Sequence, residues 1–284
     1  MSASAPPADL AGARQGLPDT EFLALTRKIA DERGFACGSY KERCLRRRIA
    51  VRMRAKAVHT FRDYMRVLDA DPDEYERLIE TLTINVTKLF RNWDVYEAIA
   101  STVIPAVWSG PRERMHVWSA GCASGEEPYS LGALFHRHAR ARQELQRLRA
   151  LEIVATDIDQ RILDLARSAT YEEPAFGDAP ADLRAAYFSP GSPSTVVPEV
   201  RELVTFARHD LLRDPPPRAS FDLIVCRNVI IYFDRDSQER LFERFAAALA
   251  PGGFLVLGKV ETLLGPARAA LQSVEPRARI FRRP

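Results

Sequence analysis

The stretch VWSAGCASGEEPYS, residues 117–130, sets Gly121 and Gly125 four apart and follows them at once with two carboxylates, Glu126 and Glu127. A glycine turn entering a helix offers free backbone amides, and such turns commonly hold phosphate. Here the acids would repel it. The spacing also lacks the GxGxxG of a dinucleotide turn and the Gly-Lys-Ser/Thr of a phosphate loop. The ligand expected is therefore uncharged or cationic, with Glu126 facing its positive centre. The competing reading is that the two acids only stabilise the positive end of the helix.

Other polar residues end apolar runs nearby. ATDID places Asp157 at a strand end, where an ionised carboxylate can accept from both hydroxyls of a ribose. ARHDLL puts Asp210 at another, where its carboxylate or the neighbouring amides can meet an adenine. FDLIVCRNVIIYF runs apolar up to Arg227 and Asn228; Asn228 either faces the ligand or closes the strand-to-helix turn. A ligand with a ribose, a positive centre and no phosphate is S-adenosylmethionine.

The elements that must position these groups read as α/β. From about residue 114, β-branched runs alternate with helical segments, as suits a parallel sheet buried on both faces and doubly wound, with its ligand at the carboxyl ends of the strands. Residues 20–82 instead carry apolar positions at helical spacing, a small all-helical domain. Between 83 and 100 a linker joins the two, and the sheet domain fills 101–284. A Pro/Gly/Ser-rich tract predicts an irregular insertion at about 177–204, and residues 1–19 read as a disordered start without the features of a secretory signal. The tract DPPPR at 214–218 precedes its strand and lacks an aromatic, so it is not the Asp-Pro-Pro-aromatic motif of amino-methylating DNA enzymes.

Charge and cysteines bound the function further. A net charge of +3 does not by itself argue for nucleic acid, but residues 39–58 carry eight Lys/Arg against the single acid Glu42. On a helical wheel Arg43, Arg46, Arg47 and Arg54 share one arc, apart from the apolar stripe of Leu45, Ile49 and Met53. The four cysteines form no CxxC pair and the histidines no zinc spacing, so reduced thiols and no metal are expected. No apolar run approaches the roughly 18 residues of a membrane span.

Taken in order, the basic helical region, NVTKLFR, VWSAGCASGEEPYS, ATDID, CRNVIIYF and GKVETL resemble the CheR family of chemotaxis receptor glutamate methyltransferases over about residues 20–283. The resemblance implies a helical domain followed by a Rossmann-like methyltransferase domain. It also implies methyl transfer from S-adenosylmethionine, leaving S-adenosylhomocysteine, to glutamates on the cytoplasmic helical bundle of chemoreceptors. By position it assigns cofactor contacts to Asn85, Thr87, Arg91, Gly121, Glu126, Asp157, Asp210, Leu211, Asn228 and Val229. Arg91 and Tyr232 are assigned to the transfer itself, and Arg43, Arg46, Arg47 and Arg54 to receptor docking. Leu89 and Lys259 depart from the family pattern, where a phenylalanine and a histidine are usual.

A glutamate substrate, with a pKa of about 4.3, is already an ionised nucleophile at neutral pH, so no general base is required. A cytoplasmic monomer acting without nucleic acid or membrane insertion is expected. Two alternatives stand beside it: a nucleic-acid methyltransferase using the arginine-rich helix, and a non-catalytic module that binds S-adenosylmethionine.

Overall fold

The structure, a computed structural model, describes residues 20–83 and 85–284. The start expected to be disordered lies outside the described residues.

Four helices make the first unit: α1 (Thr20–Arg33), α2 (Glu42–Ala55), α3 (Phe61–Ala70) and α4 (Pro72–Leu82). Their starts follow local chemistry. Thr60 accepts from the Asp63 amide to cap α3, and Asp71 accepts from the Glu74 amide to cap α4, with Pro72 in the first turn, where its missing N–H costs nothing. Leu45, Ile49 and Met53, one turn apart, bury the inner face of α2 against Phe22, Leu25 and Leu78. The buried Glu74 carboxylate takes two hydrogen bonds from Arg52 and one from Tyr64, so its charge is paired inside this small core.

Of residues 83–100, expected as a linker, the part from 85 to 92 forms neither helix nor strand. The second part begins a helical run of α5 (Trp93–Ala98), a π-helical turn (Ile99–Val103) and α6 (Ile104–Trp108), whose Val95, Tyr96, Ile99 and Val103 lie in the core of the sheet domain.

That domain continues with β1 (Met115–Ala120), α7 (Glu126–Ala141), β2 (Leu151–Asp157), α8 (Gln160–Ser168), β3 (Thr170–Tyr171), α9 (Ala181–Tyr187), β4 (Ser194–Thr195), α10 (Pro198–Arg201) and β5 (Val204–Arg208). It closes with β6 (Phe221–Cys226), α11 (Arg235–Ala248), β7 (Leu249–Leu257), α12 (Ala267–Ala270), β8 (Gln272–Glu275) and β9 (Ile280–Arg282). Seven strands form one sheet in the order β5-β2-β1-β6-β7-β9-β8. The first five are parallel and β9 is antiparallel to both its neighbours.

Period-2 geometry explains the apolar runs. Val117, Leu223 and Val225 enter the core on one face, while Trp118, Ile224 and Cys226 enter the core on the other. The order in which strands are added reverses between β1 and β6, with β2 and β5 laid on one side and β7 on the other, and such a switch point is the crevice where these sheets take ligands. The expected insertion contains α9, β4 and α10, and β4 pairs antiparallel with β3, which precedes it.

Candidate active site

The glycine turn is built by backbone bonds. Gly121 and Cys122 both donate their amides to Thr156 O, at 2.8 and 2.9 Å, which folds the end of β1 over the end of β2. Gly121 holds φ at +81°, and a Cβ there would sit 2.6 Å from Val229 Cγ2, so only glycine lets the two loops close. Ala123, at φ +47°, turns its amide to Asp157 Oδ2 at 2.9 Å, and the Asp159 amide donates to Asp157 Oδ1 at 3.1 Å. Each Asp157 oxygen keeps further acceptor capacity. Burial pushes this carboxyl above its ordinary range, and the two amides oppose that.

The two glutamates part company. Glu126 turns back on the loop, where both its oxygens accept from Ser124 Oγ at 2.9 and 2.7 Å, and it lines none of the concavities around the turn. Glu127 accepts from Ser119 Oγ at 2.8 Å and forms the wall of the concavity with Arg91, Tyr96, Gly121, Arg227 and Asn228. The αL turn at Gly125 sets this phase: one residue's rotation sends Glu127 inward. Burial raises both carboxyls, Glu126 to about 6 and Glu127 to about 7.

The irregular segment before α5, residues 85–92, borders the same opening. Phe90 donates its amide to Ser130 Oγ on α7, and Leu89 donates to Ala175 O, so the segment is pinned at the start of α7. The departure Leu89 is fully buried here. Phe90 and Asn92 both adopt positive φ, at +53° and +59°, a cost of order 1 kcal/mol or more for such residues that ordered surroundings must hold. Asn85 donates to Asp159 Oδ2 at 3.2 Å, the same aspartate whose other oxygen caps α8. Thr87 and Arg91 line the wall with Glu127, and Arg91 Nη1 donates to Val86 O.

Strand β6 supplies the opposite wall. Arg227 Nη2 donates to Arg91 O at 2.8 Å and Asn92 Oδ1 at 3.2 Å. Asn228, at φ +62°, closes the turn and faces the opening as well. Val229 touches every part of the opening, and Tyr232 lines the portion shared with Asn85 and Asp157. At the far end lie His209, Asp210 and Leu211, with Asp210 Oδ1 holding the Leu212 amide at 2.8 Å.

The helical domain completes the enclosure. Tyr40 stacks on Phe35 with centroids 4.7 Å apart, meets Phe233 edge-on at 5.0 Å, and faces Asp157 and Asp210. Lys41 donates its amide to Tyr232 O, and Asp234 donates to Ser39 O. Arg48 of α2 lies with Cζ 5.6 Å from the Tyr232 ring. On the outer face of α2, Arg43, Arg47 and Arg54 are exposed and make no ion pair among the described residues. Arg46 differs from them: it is half-buried, pairs with Glu42 at 2.7 Å and stacks 3.9 Å over Phe22.

The donor set suits a zwitterion with a ribose. Carboxylates at Glu127 and Asp157 and guanidinium groups at Arg91 and Arg227 all border the opening, Glu127 in the same wall as the two arginines. Three polar atoms in this wall, Tyr96 OH, Asn228 Oδ1 and Arg227 Nε, are buried without a partner among the described residues, which calls for a ligand offering both a donor and an acceptor. S-adenosylmethionine fits on each count. A separate, larger concavity against β5, lined by Arg167 and Arg201, contains none of these residues.

The family described as "CheR methyltransferase, SAM binding domain" matches residues 85–279, and "CheR methyltransferase, all-alpha domain" matches residues 20–83. The chain belongs to the CheR methyltransferase family. It is 34% identical over 261 residues to a chemotaxis protein methyltransferase of Listeria innocua, covering 91% of this chain and 97% of that one. It is 31% identical to chemotaxis protein methyltransferase 2 of Pseudomonas aeruginosa, covering 86% and 87%. S-adenosylmethionine is the cofactor of this CheR domain, and the sheet is its methyltransferase fold.

Several residues of the CheR cavity carry no assignment from sequence. Glu127 was read as Glu126's equal at best, and only the helix phase separates them. Tyr40 stands in a loop between helices, outside any periodic signal. Arg227 was visible as a polar residue at a strand end, but its bonds run to the segment before α5, which no local pattern reveals. Among the described residues no helix is long and apolar enough to cross a membrane.

Proposed function

We propose that this enzyme methylates glutamate side chains on the cytoplasmic helical bundle of chemoreceptors, forming glutamate methyl esters, and that it does so as a cytoplasmic monomer. One arrangement carries the reading. The cofactor cavity is walled in part by the helical domain, whose α2 brings Arg48 beside Tyr232 and holds Arg43, Arg47 and Arg54 outward with no acidic partner among the described residues. A basic face beside the opening suits an acidic receptor helix.

In this reading Glu127 holds the cofactor's ammonium, Asp157 its ribose and Arg91 its carboxylate. Asn85 and Thr87 close over it, and Asp210, Leu211, Asn228 and Val229 surround its adenosine. Glu126, expected to meet the cation, serves the loop instead. Bound there, S-adenosylmethionine supplies a methyl group activated by a positively charged sulfur. The chain's own task is orientation, which in favourable systems supplies about 7 to 11 kcal/mol. Tyr232 borders the opening through which a glutamate oxygen must approach. Since that glutamate is ionised at neutral pH, no residue has to take a proton from it.

Incubation with methyl-labelled S-adenosylmethionine and either receptor cytoplasmic fragments or RNA tests the proposal. The expected result is alkali-labile label on the receptor fragment, released as methanol. Label on RNA alone would favour a nucleic-acid methyltransferase. Cofactor binding without transfer to either would favour a regulatory module.

A further inference from the structure

Glu261 lies in the loop that follows β7 and is 3% exposed, yet it touches no other charged side chain among its hydrogen-bond partners. Its partners are backbone amides. Oε1 accepts from Val229 at 3.0 Å, Ile230 at 2.9 Å and, more weakly, Ile231 at 3.4 Å. Oε2 accepts from Asn228 at 3.0 Å and Gly258 at 2.6 Å. A Cβ at Gly258 would come within 2.7 Å of Oε2 and 2.9 Å of the Asn228 amide, so the carboxylate is enclosed on that side by glycine alone.

We propose that Glu261 is a positioning residue for methyl transfer: its carboxylate gathers the amides of residues 228–231 and so holds Asn228, Val229 and Tyr232 at the cofactor opening. The turn it organises contains Asn228 at φ +62°, a backbone state that needs support. Successive amides converging on one anion provide it, as concave amide clusters do for bound anions. Both oxygens are used by two or more donors, so a glutamine in either orientation would set an NH2 group against N–H groups. The inference rests on the cofactor of the family and not on the identity of the protein substrate.

Binding of S-adenosylhomocysteine by calorimetry therefore tests it separately from receptor methylation. For Glu261→Gln, affinity is expected to fall at least tenfold and hydrogen exchange at residues 228–231 to accelerate, while the KM for the receptor fragment stays within twofold. Glu261→Asp, which keeps the charge on a shorter stem, is expected to recover part of the affinity. Lys259→Ala, which removes only the exposed pair with Asp94, is the control and leaves affinity unchanged. A folded Glu261→Gln variant that binds within twofold of wild type would overturn the proposal, as would unchanged exchange at 228–231. Should Glu261→Gln fail to fold, Gly258→Ala, which pushes on the same carboxylate from outside, is expected to lower affinity; wild-type affinity there would overturn it too.

Discussion

Glu127 and Ser119 are joined by a 2.8 Å hydrogen bond at the junction of α7 and β1, and this bond holds a buried carboxylate in the wall of the cofactor opening. Glu126, one residue earlier, spends both oxygens on Ser124. Glu127→Gln is expected to weaken S-adenosylmethionine and S-adenosylhomocysteine binding about 10- to 100-fold, the range of a hydrogen bond to a charged group. Glu126→Gln is expected to change it less than threefold. Calorimetric titration of both variants checks the pair, and equal losses would return the role to both acids.

The same carboxyl gives a pH signature. Burial lifts Glu127 to about 7, so below that pH the free protein holds a proton that must leave before a cation is met. Affinity for the cofactor should rise from pH 6 to pH 8, by up to about tenfold per unit on the acid side, and Glu127→Gln should flatten the slope. Stability of the ligand-free protein runs the other way. A carboxyl raised above the roughly 4.3 of an unfolded chain stabilises most below that pH, and the contribution is lost as pH climbs through about 7.

Gly121→Ala tests how tightly the turn closes. With φ at +81° and 2.6 Å to Val229 Cγ2, the added methyl must displace Val229 or open the loop. The left-handed backbone alone costs about 1 to 2 kcal/mol for an L side chain. Cofactor affinity should fall at least tenfold while the helical domain keeps its far-ultraviolet signal.

Arg91→Lys keeps a positive charge but loses the planar fork that donates to Val86 O and that the proposal assigns to the cofactor's carboxylate. It is expected to bind S-adenosylhomocysteine about tenfold more weakly, with Arg91→Ala weaker still. Wild-type affinity in both would remove Arg91 from the site.

For docking, replacing Arg43, Arg47 and Arg54 together with alanine should raise the KM for receptor fragments at low salt and leave S-adenosylhomocysteine affinity untouched. The wild-type rate should fall as salt rises, because exposed charges are screened within about 10 Å at 0.1 M. Arg46→Ala belongs to another class: it removes stacking on Phe22 and a pair with Glu42, so its effect should be a lower melting temperature.

Four of the parallel strands, β1, β2, β6 and β7, were legible because they are largely buried on both faces and so read as apolar runs, whereas the half-exposed edge strand β5 showed only in the short VTF stretch. The short strands β8, β9, β3 and β4 were not, since two to four residues on partly exposed ribbons leave no pattern. Asp157, Asp210 and Asn228 could be found at strand ends because their place depends on the strand alone. The choice between Glu126 and Glu127 turned on a single αL residue, Gly125, and Tyr40 reaches the cavity only through contacts with residues distant in the chain.

Ser39 and Lys41 exchange backbone hydrogen bonds with Asp234 and Tyr232, so the loop just before α2 is paired with the turn that borders the methyl-transfer opening. The two halves matched by the family are therefore not interchangeable parts. A chimera that takes its helical domain from another relative would have to bring residues 230–234 along with it, because the backbone pairing that seats the helical domain runs through that turn and not only through the segment joining the domains.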